Sequence, residues 1–225
     1  MIKPALAALP RFALFLLAVI PVLTGVVVLQ SMQHGDVNAL SDPAAIARRA
    51  SYPWAIIGHI LGGSAMLILG FSQFSSRLRR AMPGLHRWVG RALVGAGAYF
   101  ALSGLVMNAS AKAQADSVLY NTAQNVMAVV FLAVLFLGIR AVRQRRIADH
   151  RAWMMRCYAI TLGAATQTVL LLPVFLILGE VRGVLVDLVF ISAWGVNLTV
   201  AEWVIRRPSY SNIKSAKSGP FLTRN

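Results

Sequence analysis

Six stretches of this chain run for about 20 residues each with few or no charges, the length a helix needs to cross a hydrocarbon layer about 30 Å thick. They are approximately Phe12–Gln30, Pro53–Phe74, Trp88–Asn108, Val118–Ala141, Trp153–Leu178 and Val184–Ile205. Hydrocarbon offers a backbone amide no partner, so each stretch must be helical and satisfy its amides internally. The expected fold class is all-α, a polytopic integral membrane protein of six transmembrane helices forming one domain over residues 1–207. Composition agrees, since 58% of the 225 residues are hydrophobic and 13% charged. Soluble domains run near 45–50% apolar and about 25% charged.

A net charge of +15 would also suit a nucleic-acid partner. The basic residues, however, sit in short clusters between apolar runs with no nucleic-acid motif beside them. Membrane topology explains them better, because cationic loops resist translocation. With the N-terminus in the cytoplasm, eighteen of the 22 lysines and arginines fall on the cytoplasmic side, leaving Arg48, Arg49, Lys112 and Arg182 opposite. The expectation is a multi-pass protein of the bacterial inner membrane with both termini cytoplasmic, partnered by the bilayer and not by nucleic acid. The first span follows Lys3 and Arg11 as a secretory signal would, but its apolar run is too long and no cleavage pattern follows "VVVLQSMQ". Pro21 is expected to kink that span. Asp42 and Pro43 read as the cap and first position of a short surface helix. Residues 208–225 read as a disordered cytoplasmic tail. The single cysteine, Cys157, has no internal disulfide partner and reads as packing filler at a helix end.

Two of the basic clusters resemble each other. "SSRLRRAMPGLHRWVGR" at 75–91 carries Arg77, Arg79 and Arg80, then His86, Arg87, Trp88 and Arg91. "AVRQRRIADHRAWMMR" at 141–156 carries Arg143, Arg145 and Arg146, then His150, Arg151, Trp153 and Arg156. Each joins a span descending to the cytoplasm with one ascending from it, which suggests a repeated hairpin, spans two and three answering spans four and five. Aligning Arg77 with Arg143 gives an offset of 66 and carries His59 onto Asn125. Both lie about 27 Å above the inner arginine at the helical rise of 1.5 Å per residue. A polar group in hydrocarbon needs a partner, so His59 is expected to face the bundle interior, with Asn125 as the natural one. Gly62 and Gly63 beneath it allow a neighbouring helix to come close, and Gly95, Gly97 and Gly104 read as packing positions in the third span.

The combination "HIxGG", "LHRWVGR", "DHRAWMMRCYAIT" and "NLTVAEWVIRR" resembles the prokaryotic predicted membrane protein family catalogued as domain of unknown function 2306, over roughly residues 53–207. Carried over, the family's positions are His59, His86, Arg87, Trp88, Gly90, Arg91, His150, Arg151, Trp153, Arg156, Tyr158 and Glu202. Members often place an arginine near the position of Thr168, which this chain does not. The resemblance implies a fold and no activity.

Chemistry leaves three readings open. A membrane-embedded binding module would hold an anionic ligand or phospholipid head group at His86, Arg87, Arg91, His150, Arg151 and Arg156, with Glu202 balancing part of the charge, and would keep a polar site at His59 and Asn125. Glu202 also stands four residues before Arg206, a spacing that pairs on a helix. A redox protein would bind quinone, or b-type haem between His86 and His150 with arginines on the propionates. Haem at His59 would need Met107 or Met127 as its second ligand. A small transporter of two hairpin repeats would use Gln167 and Asn197 as well, but shows no broken-helix signature and needs a compact bundle or a homodimer. Against all three stand topogenic arginines, anchoring tryptophans and Asp149 as the cap of the fifth span. No nucleophile elbow, phosphate loop, metal spacing or carboxylate pair points to an enzyme.

Overall fold

The computed structural model describes residues 3–34, 52–110, 118–178 and 183–207. The surface helix expected at Asp42–Pro43 and the tail lie outside them. Among the described residues eight helices follow in order: α1 (Lys3–His34), α2 (Pro53–Gln73), the short α3 (Ser76–Ala81), α4 (Pro83–Ser110), α5 (Val118–Arg143), α6 (Ile147–Thr161), α7 (Gly163–Leu178) and α8 (Val184–Arg206). Among the described residues six spans are long and apolar enough to cross a membrane, the fifth being α6 and α7 together. The chain is an all-helical, multi-pass membrane protein. Its third span starts at Pro83 rather than Trp88, because proline has no amide to leave unpaired in a first helical turn.

The two arginine-rich connections are built differently. In the first, Ser75 caps α3 by accepting the Leu78 amide at 3.2 Å, and Pro83 then opens α4. In the second, Arg145 takes a left-handed φ of 60°. Its amide bonds the Val142 carbonyl at 3.0 Å while the Arg146 amide bonds that of Ala141 at 2.9 Å. These two bonds satisfy the last carbonyls of α5 in the pattern usually closed by glycine. Asp149 is not the cap of α6: Arg146 holds that position, and Asp149, in the first turn, receives its Nε at 2.6 Å.

Six helices form a ring in the order α1, α2, α4, α5, α8, α7, with α7 returning to α1. Toward the arginine-rich end α6 runs inside that ring, packed on α5, α8 and α2, and its residues Cys157 to Thr161 are all buried. Cys157 is core filler, about one turn before the end of α6. Met66, Leu93, Phe131, Leu135, Cys157 and Ile160 form the main apolar cluster. Small residues set the helix spacing. A Cβ on Gly62 would stand 2.8 Å from the Ala96 carbonyl oxygen, so α2 and α4 meet backbone to backbone there. Gly97 seats Met66 and Phe131, whereas Gly95, expected to pack, faces open space.

Candidate functional site

The fifth span is interrupted near its middle, where the sequence shows no broken-helix signature. Helix α6 ends at Thr161 and α7 begins at Gly163, with Leu162 between them. In an unbroken helix the Ala159 carbonyl would take the Gly163 amide. Here it accepts Asn197 Nδ2 from α8 at 3.1 Å, and Asn197 Oδ1 accepts the Thr166 hydroxyl at 2.9 Å. A side chain inserted into the ladder is an ordinary cause of a bent helix. The Thr161 hydroxyl adds to it by bonding back to the Cys157 carbonyl at 2.9 Å. Gly163 lets the Trp194 indole lie where any side chain would stand. The inserted amide thus comes from α8, outside the local sequence.

With α6 inside the ring and α7 in its wall between α8 and α1, the bundle centre is left open beyond α6. A cavity of about 380 Å³ fills it, lined by all six spans. None of its described lining residues is Asp, Glu, Lys or Arg; the polar groups include His59, Ser64, Gln124, Thr161 and Gln167. Its floor is apolar, with Leu67, Phe131 and Ile160.

His59 stands in this cavity. Its ring stacks on Phe100 with centroids 4.3 Å apart, and Nδ1 lies 3.0 Å from the Phe100 carbonyl oxygen. A carbonyl only accepts, so the proton of the neutral imidazole is assigned to Nδ1, and Nε2 is left with an acceptor lone pair. Gly104 keeps room for the ring, since a Cβ there would be 3.3 Å from His59 Cε1. Asn125, expected to pair with His59, does not: it is exposed and accepts Asn108 Nδ2 at 3.0 Å. One residue along α5, about 100° round the helix, Gln124 is the side chain that lines the cavity. It is hydrogen-bonded to Tyr120, whose ring stacks on Phe190 at 4.9 Å.

At the arginine-rich end the expected residues divide. Arg87, Arg91 and Arg151 are exposed, as is Trp88. Arg156 is committed elsewhere, its Nε 2.6 Å from Glu202 Oε1 and its guanidinium 4.5 Å above the Trp153 ring. Glu202 Oε2 takes Arg206 at 3.4 Å, the pairing expected from their spacing. His86 and His150 lie within electrostatic reach of each other but are not equivalent. His150 Nδ1 is 2.9 Å from the Gly138 carbonyl, while His86 Nδ1 is buried without a partner among the described residues. Axial haem histidines are usually each oriented by a hydrogen bond to the other nitrogen, which His150 has and His86 lacks. The 380 Å³ cavity lies at the His59 level, away from this pair. There, Met107 and Met127 are the lining thioethers. His86 and His150 thus differ in their support, while His59 shares its cavity with both thioethers.

A family model described as "Predicted membrane protein (DUF2306)" matches residues 56–205, two thirds of the chain. The chain belongs to that family. No curated protein and no solved structure matches it. Of the DUF2306 positions carried over above, His59 lies in the cavity. Tyr158 ties α6 to α2 by donating to the Leu67 carbonyl at 3.1 Å. Arg156 and Glu202 pair with each other across α6 and α8. Thr168 lines the cavity and leaves that wall uncharged.

Sequence reading singled out Asn197 and Gln167 only as polar residues within spans. Their bonds, to the Ala159 and Phe190 carbonyls, tie α8 to α6 before the break and to α7 after it. Trp194, Tyr120 and Gln124 went unnoticed as lining residues, since nothing in the local pattern separates a cavity-facing aromatic or amide from a packed one.

Proposed function

We propose that this DUF2306 member is a membrane-embedded binding module whose site is the cavity at His59, and that its ligand is a small uncharged molecule able to donate a hydrogen bond. The observation that carries this reading is the fixed acceptor: Nδ1 faces the Phe100 carbonyl at 3.0 Å, so the neutral ring offers Nε2 as an acceptor within a cavity of about 380 Å³. That volume falls in the usual range of small-molecule sites. An ionised ligand would lose its hydration among lining groups that carry no formal charge to repay it. The test is mass spectrometry of small molecules that co-purify with the chain in mild detergent. His59→Phe, which removes the acceptor and fills the space, is expected to lose the molecule, and Asn125→Ala to retain it. An identical small-molecule profile for His59→Phe would defeat the reading.

The orientation fits a bacterial inner membrane with both termini cytoplasmic, on the distribution of lysine and arginine. In that frame Arg87, Arg91 and Arg151 meet anionic phospholipid head groups, supported by their exposure beside Trp88. Arg156 contributes less, because Glu202 already neutralises it. Joint replacement of Arg87 and Arg151 by glutamine is expected to release bound anionic lipid; unchanged lipid content would count against this second site. A transport reading draws support from the interrupted fifth span, since discontinuous helices mark many transporter sites. It predicts exchange of the cavity ligand between the two faces of a vesicle.

A further inference from the structure

We infer that the cavity opens to the hydrocarbon of the bilayer, through the seam between α1 and α7, and so takes its ligand from molecules dissolved in the membrane. This rests on the binding reading above and adds the route and the ligand's phase.

The seams of the ring differ in what closes them. Between α1 and α2, Gly25 lets the helices close, a Cβ there standing 2.7 Å from the Ile60 side chain. Between α2 and α4, Gly62 meets the Ala96 backbone and His59 stacks on Phe100. Between α4 and α5, the Phe100 and Phe131 rings meet edge to face at 5.8 Å and Asn108 bonds Asn125. Between α5 and α8, Tyr120 stacks on Phe190. Between α8 and α7, Asn197 bonds Thr166, and Gln167 Nε2 reaches the Phe190 carbonyl at 3.2 Å.

Between α1 and α7 the cavity lining includes small side chains, Thr24 beside Pro21 and Val28 on one side and Ala164 and Thr168 on the other. Both threonine hydroxyls are turned back onto their own helices, Thr24 to the Ile20 carbonyl at 3.1 Å and Thr168 to that of Ala164 at 3.0 Å. Thr24, Ala164 and Thr168 are all exposed although they line the cavity. Thr24 is central in the span Phe15–Gln33, and Ala164 lies near the centre of Ile147–Ile177. An opening at that depth faces acyl chains, not water.

The test uses the unaltered full-length chain in phosphatidylcholine vesicles with an uncharged aryl diazirine dissolved in the bilayer, photolysed and mapped by peptide mass spectrometry. Met127, inside the cavity, is expected to be labelled alongside Leu176, a lipid-exposed internal standard. Thr24→Phe or Ala164→Phe, each closing the seam from one side, is expected to lower labelling at Met127 several-fold and leave Leu176 unchanged. Two positions are used so that misfolding of one variant leaves the other decisive, with Leu176 labelling reporting insertion in both. Absence of label at Met127, or label there indifferent to both plugs, would overturn the lateral route. So would stronger delivery to Met127 by a charged diazirine confined to water, and in that case the binding reading would survive with an aqueous entrance.

Discussion

Asn197 on the last span donates to the Ala159 carbonyl of the fifth at 3.1 Å, and so occupies the bonding position that the Gly163 amide would hold in a continuous helix. The same amide group accepts the Thr166 hydroxyl on the far side of the interruption. One side chain therefore satisfies a backbone acceptor below Leu162 and a side-chain donor above it, and the interruption costs the membrane interior no unpaired group at these atoms.

Replacing Asn197 by leucine keeps the volume and removes both bonds. Polar contacts between membrane helices average about 0.6 kcal/mol each, since the unfolded chain in the membrane also finds partners. A loss of about 1 kcal/mol in unfolding free energy is expected for Asn197→Leu. Thr166→Val should cost less, and the double variant less than the sum of the two, because they share a bond. Reversible unfolding in mixed micelles measures all three. Equal stability of Asn197→Leu and the parent chain would show that the amide does not hold the break.

The close approach of α2 and α4 makes Gly62 sensitive in a different way. Adding even a methyl group would bring a Cβ within 2.8 Å of the Ala96 carbonyl oxygen, and backbone has no rotamer with which to yield. Gly62→Leu is expected to destabilise by about 1–3 kcal/mol, the usual range for overpacking. Gly95→Ala serves as the control, since nothing lies within 4 Å of a Cβ placed there. Shifts of the thermal midpoint in detergent check the pair, and a Gly95→Ala loss matching that of Gly62→Leu would contradict the packing assignment.

The spans were legible because apolar length is local information: an uncharged run of sufficient length has no other stable form in lipid. The interruption was not, because "YAITLGAATQ" contains one glycine and no charge, and the residues that bend it lie more than 30 positions away on α8. His59 was legible as a polar group that must face inward. Its partner was not, since a backbone carbonyl such as that of Phe100 carries no sequence signature. Asn125, expected at the cavity from an offset of 66, is exposed, and its neighbour Gln124 lines the cavity, because one residue along a helix is about 100° round it. At the arginine-rich end, sequence showed which residues were cationic. Whether an arginine is free or committed depends on α8, which brings Glu202 to Arg156 and to neither Arg87 nor Arg151.

The pair Arg156–Glu202 is partly shielded, with side-chain exposures of 22% and 31%. Its worth is expected to lie at the upper end of what exposed pairs give, about 1 kcal/mol. Glu202→Gln should cost more than the pair alone contributes, because it leaves the Arg156 charge held between α6 and α8 without compensation. Joint replacement of both residues by glutamine should recover part of that loss. A double-mutant cycle on unfolding free energies tests this, and additive single effects would mean that the two groups do not interact.

Arg145 offers the last prediction, on the turn that closes α5. Its φ of 60° places a side chain with a Cβ in the left-handed region, where an L-residue pays roughly 1–2 kcal/mol against glycine. Glycine would relieve that strain, though its greater freedom in the unfolded chain returns about 0.4–1 kcal/mol of the gain. Arg145→Gly is therefore expected to stabilise by a few tenths of a kcal/mol to about 1 kcal/mol. Arg145→Val should destabilise by more than that, because a β-branched residue tolerates this region least. Orientation should be unaffected, since Arg140, Arg143, Arg146, Arg151 and Arg156 remain on the same connection. Thermal midpoints of the three chains supply the check. A ranking with valine at or above arginine would mean that the turn does not hold its left-handed residue in the membrane.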